Sequence, residues 1–67
     1  MSMFELIQRL RFPVTVSAAA LQWERSYNIA QQRLWNAEQQ GLLIAVKLGT
    51  RKLYSPSALM LRKILED

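Results

Sequence analysis

Three amides, Asn28, Gln31 and Gln32, stand three and four residues apart, so on a helix they share one outward face. An amide both donates and accepts, and Asn or Gln can meet the edge of an adenine through two hydrogen bonds, worth about 1–3 kcal/mol of discrimination per pair. Further along, Lys47, Arg51 and Lys52 gather around Gly49-Thr50, and no acidic residue occurs between Glu38 and Glu66. Such cations neutralise phosphates, each contact adding about −0.9 to the salt slope of binding. By contrast, the chain has no Cys, no His and only five Asp and Glu. Thiol nucleophiles, imidazole bases and the usual zinc ligands are missing, so neither an enzyme nor a bound metal or cofactor is expected.

Composition narrows the remaining classes. With 67 residues, 51% of them apolar and 21% charged, the chain should fold, and as one domain over residues 1–67. A chain this short buries only about 60% of its unfolded surface, which makes self-association attractive. Its longest apolar run, Leu42 to Val46, is far from the roughly 20 residues of a membrane span. No membrane or small-molecule partner is expected, and the location expected is cytoplasmic and nucleoid-associated. The net charge of +4 and a pI near 10.1 favour a polyanionic partner.

The elements that would position these residues can be read in order. Ser2 and Glu5 have capping-box spacing, and Met3, Leu6, Ile7 and Leu10 follow at helical spacing, predicting a short helix to about Arg11. Phe12-Pro13 forces a turn, and Val14-Thr15-Val16 reads as a short strand. Ser17 is placed to cap a second helix through Trp23, whose three alanines let a neighbouring helix approach. Ser26 caps a third helix over residues 27–40, ended by Gly41. Its buried stripe is Ala30, Leu34 and Ala37 with Tyr27 alongside, and Trp35 falls on the polar face. Leu42 to Leu48 and Lys52 to Tyr54 predict a hairpin with a basic tip, the turn being Gly49-Thr50-Arg51. Ser55, as N-cap, with Pro56 then opens a last helix. Ala58, Leu61 and Leu65 are expected toward the core, leaving Met60 and Ile64 for self-association. Trp23 and Tyr54 are expected in the core.

The stretch AAALQWERSYNIAQQRLWNAEQQGLLIAVKLGTRKLYS, Ala18 to Ser55, resembles the winged helix-turn-helix of bacterial transcription regulators. Leu34-x-x-Ala37-Glu38-x-x-Gly41-Leu42-Leu43 matches the end of their recognition helix. LGTRKLYSPSALMLRKIL is similar to the wing and following helix of the MerR and excisionase-like group. One departure stands out: the turn usually holds a Gly, whereas here it is Glu24-Arg25, which implies a bend of different shape.

The expected fold is therefore mainly α with a small β-hairpin, a winged helix-turn-helix. The expected function is sequence-specific binding of double-stranded DNA, as a small transcription regulator or excisionase-like architectural factor acting as a homodimer. Tyr27, Asn28, Gln31 and Gln32 would read bases from the helix over residues 27–40. Arg25, Arg33, Lys47, Thr50, Arg51 and Lys52 would hold phosphates, the wing over 47–52 supplying most of them. The rival expectation is a winged-helix protein-interaction module that docks through Trp35 and the apolar C-terminal helix.

Overall fold

The computed structural model describes residues 2–66. Four helices and one antiparallel hairpin follow in the order α1 (Met3–Gln8), α2 (Val16–Trp23), α3 (Tyr27–Gln39), β1 (Leu43–Leu48), β2 (Arg51–Pro56) and α4 (Ala58–Glu66). Ser2 caps α1: the Glu5 amide donates to Ser2 Oγ at 3.2 Å, and the Ser2 hydroxyl, in place of the backbone N–H of a full capping box, donates to Glu5 Oε1 at 3.4 Å. The chain then turns at Phe12-Pro13, a cis peptide bond.

The predicted strand over Val14 to Val16 shrinks to a single bridge. Val14 pairs with Tyr54, but Thr15 is the N-cap of α2, its hydroxyl accepting from the Ala18 amide at 3.2 Å. A β-branched residue that can satisfy an orphan helix donor is worth more as a cap than as a strand residue. Ser17, expected as that cap, lies inside the helix.

Glu24 supplies the bend that a glycine usually makes. It adopts the left-handed conformation at φ 55°, ψ 48°, and its amide and that of Arg25 return to Leu21 and Ala20 carbonyls. Ser26 caps α3 by accepting from the Ile29 amide. At the other end Leu42 N–H bonds to Ala37 O at 2.9 Å and Gly41 N–H to Glu38 O at 3.0 Å, the paired bonds of a Schellman motif, with Gly41 at φ 79°. The hairpin turn is the two residues Gly49-Thr50, since Leu48 pairs with Arg51. Gly49 takes the positive φ of 63°, the pattern of a turn that follows strand twist.

Ile7, Leu10, Val14, Val16, Ala19, Trp23, Ala30, Leu34, Ala37, Leu42, Leu43, Tyr54 and Met60 form the core. The predicted stripe of α3 is buried as expected, although Tyr27 stays half exposed. Trp23 and Tyr54 are buried, and Trp23 Nε1 donates to Leu6 O at 2.9 Å. Ala19, Ala30 and Ala37 are fully enclosed where α2, α3 and β1 meet, and their small side chains permit that approach.

The phase of α4 is opposite to the prediction. Its cap is Ser57 and not Ser55, because β2 runs on to Pro56. The Ser57 hydroxyl accepts from the Met60 amide and donates to the Gly41 carbonyl, so residue 57 faces inward. On a helix, 60 and 64 share that side. Met60 is accordingly fully enclosed and cannot meet a second copy, whereas Ile64 is exposed. Ala58, Leu61 and Leu65 face solvent instead.

Two outcomes follow for chemical denaturation. Ser57→Ala should cost about 1–2 kcal/mol, since it removes a cap and leaves the Gly41 carbonyl without its donor. Glu24→Val should be less stable than Glu24→Gly by about 1–2 kcal/mol, because a β-branched residue resists the left-handed region that glycine accepts.

Candidate functional site

A groove of about 750 Å³ opens between the polar face of α3, the hairpin tip and the start of α2. From α3 it receives Tyr27, Asn28, Gln31, Gln32 and Trp35, and from the hairpin Thr50, Arg51, Lys52 and Tyr54. Thr15, Val16 and Ser17 close the third side. The four residues expected to act from the helix therefore do converge with three of the six expected phosphate contacts.

The other three lie elsewhere. Arg25 borders a separate shallow cleft with Ser17, Ala20, Leu21 and Glu24, and its guanidinium donates to the Glu24 carbonyl. Arg33 lies with its guanidinium 5.6 Å from the Trp23 ring centre, an arrangement that packs a cation on an aromatic face. Lys47 is exposed but does not line the groove. Lys52 is committed in part: its Nζ is 3.4 Å from Glu38 Oε1 and 5.5 Å from the centre of the Tyr54 ring. Arg51 forms no ion pair among the described residues.

Trp35 is 54% exposed and Tyr27 52%, so two aromatic rings stand at the rim. Sequence reasoning missed Thr15 and Ser17 as lining residues. For Thr15 the signal was its capping hydroxyl, which must sit where the chain enters α2 from Val14, and Ser17 follows two residues later in the first turn of that helix. Among the described residues, no group of three or more His, Cys, Asp or Glu is placed to hold a metal ion. Nor, among the same residues, is any helix long and apolar enough to cross a membrane.

Neither a known family model nor a curated protein sequence matches the chain. Among solved structures it is similar to human N-acetylserotonin methyltransferase in complex with SAM, with a TM-score of 0.70 at 23% sequence identity. The likeness covers 85% of this chain but 16% of the methyltransferase, so the chain spans a small part of that enzyme's length. What is shared at this identity is the fold.

That finding corrects two expectations. The reading as a sequence-specific DNA-binding regulator or excisionase-like factor rested on helices 2 and 3 followed by a hairpin, and this arrangement occurs inside a SAM-bound methyltransferase. The geometry therefore does not mark a regulator, since one fold hosts several functions. The expectation that the chain stands apart from enzymes is overturned by the same likeness.

The electrostatics of Lys52 give a testable pH dependence. Attraction to Tyr54, the largest cause, is opposed by desolvation and helped by the weaker pull of Glu38, and the net effect raises the Lys52 pKa above its ordinary 10.5. A raised lysine pKa stabilises the fold below 10.5 and loses that contribution as pH rises through the folded value. The pair is exposed, so the effect should be no more than about 0.5 kcal/mol. Lys52→Met should accordingly show a flatter fall in melting temperature between pH 10 and 11.5 than the parent chain, followed by circular dichroism.

Proposed function

We propose that the chain is a winged helix-turn-helix association module, related in fold to a small part of a methyltransferase, that brings two copies together through α4. The observation that carries this reading is the outward stripe of that helix. Leu61 is 49% exposed and Leu65 85%, and Ala58 beside them is exposed too. A short chain with a thin core gains by covering such a stripe.

The spacing on α4 favours a second copy as the partner. In a two-fold pair, residue i meets j and j meets i. If two α4 helices cross antiparallel near Lys63, Leu61 of each copy meets Leu65 of the other. On the flank of the same contact Arg62 of each copy lies within one turn of Glu66 of the other, so apolar and charged pairs close together. All four residues are exposed and hence free to do so. Trp35 lies in the α3–hairpin groove, which α4 does not line, so it takes no part in this pairing.

Sedimentation equilibrium tests the reading. The parent chain should self-associate at micromolar concentration, and Leu61→Glu with Leu65→Glu should weaken pairing at least about a hundredfold by leaving charge in the contact. Arg62→Glu and Glu66→Arg should each weaken it, and together restore it. A chain that stays monomeric at every concentration, or pairs equally well with the stripe charged, refutes the proposal. Calorimetric titration with SAM addresses the rival role: saturable binding at one per chain would replace pairing by cofactor binding.

A further inference from the structure

We infer that the groove between α3 and the hairpin takes a short acidic peptide of another protein, in extended conformation, added as a strand to the free edge of β2. The backbone supplies the first argument. In the hairpin, the amide and carbonyl of alternate β2 residues point away from β1. Those of Tyr54 are used, since Val14 N–H bonds to Tyr54 O at 3.0 Å and Tyr54 N–H to Val14 O at 2.8 Å. The next outward pair along the edge belongs to Lys52. It has no partner there among the described residues, because the chain leaves the sheet after Val14 to form α2. An unpaired donor and acceptor at the wall of a groove are the template for strand addition.

Charge supplies the second. None of the twelve lining residues is acidic, while Arg51 forms no ion pair among the described residues and the Lys52 side chain, though paired with Glu38, is 48% exposed. Carboxylates on the peptide side facing the hairpin tip would meet both cations. The third argument is apolar: Trp35 and Tyr27 stand half exposed on the α3 wall, placed for the apolar side chains that alternate with the acids along a strand.

The same features count against a nucleic acid as occupant. A phosphate backbone needs a track of cations, and Arg25, Arg33 and Lys47 lie outside the groove. It also has no strand of amides to offer Lys52.

Fluorescence anisotropy of a labelled eight-residue peptide, alternating Asp or Glu with Phe or Val, tests the inference at low salt. Binding should saturate below about 1 mM, a normal range for a short unstructured ligand. Arg51→Glu should weaken it at least about tenfold and Trp35→Ala about fivefold. Two altered peptides leave the protein untouched and so remain informative if a variant fails to fold. Methylating alternate backbone nitrogens should cost at least about tenfold by blocking strand pairing, and replacing the acids by Asn and Gln should do the same by removing charge. The inference is overturned by absence of saturation, by equal binding of the methylated peptide, or by a DNA duplex that binds more tightly than the peptide. The α4 stripe is not touched by any of these changes, so this result and that of the pairing experiment are independent.

Discussion

Two hydrogen bonds between Val14 and Tyr54 hold the arrangement of the molecule in place. They tie the segment that leads into α2 to the far strand of the hairpin, across forty residues of chain. Tyr54 anchors the contact with a buried ring, and Val14 is itself enclosed. Without this bridge the hairpin would be held by the packing of Leu43 and Tyr54 in the core and by its connections to α3 and α4, with no backbone bond to the segment before α2. A two-stranded hairpin alone is marginal in water, and its position relative to the helices would be loosely set. The groove owes its third wall to this contact, because the bridge brings Thr15 and Ser17 opposite Arg51 and Lys52.

A second connection works at the opposite end of the hairpin. Gly41 ends α3, its positive φ turning the chain toward β1, and its carbonyl accepts from Ser57 at the start of α4. The amide of Ser57 in turn donates to the Leu42 carbonyl. One serine thus joins the end of one helix to the start of the next and satisfies groups that would be orphaned at both. The outward face of α4 follows from it, since the inward direction of residue 57 decides which stripe is left wet.

Much of this was legible in the sequence, and the failures have local causes. The periodicity of Ala30, Leu34 and Ala37 gave the buried face of α3, and Gly41 gave its end, because both signals are carried within one or two turns. The convergence of Asn28 and Gln31 with Arg51 was legible as soon as the hairpin followed the helix directly. The α4 face was not, because Ser55 and Ser57 are both good caps and nothing local chooses between them. The choice is made by the Gly41 carbonyl, sixteen residues away. Thr15 was read as strand for the same reason: its β-branching is visible locally, whereas the need for a cap depends on where α2 begins. The withdrawal of Arg33 onto Trp23 was hidden because it depends on the distance between two helices. Function was the least legible, since the same helix and hairpin order occurs within part of a methyltransferase and a fold does not fix a function.

The two tryptophans sit in opposite surroundings: Trp23 is 9% exposed with its indole N–H bonded to a carbonyl, and Trp35 is 54% exposed at the groove rim. The molecule therefore carries two separable optical reporters. A collisional quencher such as acrylamide reaches the ring of Trp35 and leaves that of Trp23 dark to it, so quenching resolves the emission into a shielded and an accessible part. The shielded part follows the integrity of the packed helices, and the accessible part follows the groove. Occupancy and unfolding can thus be followed in one unlabelled sample.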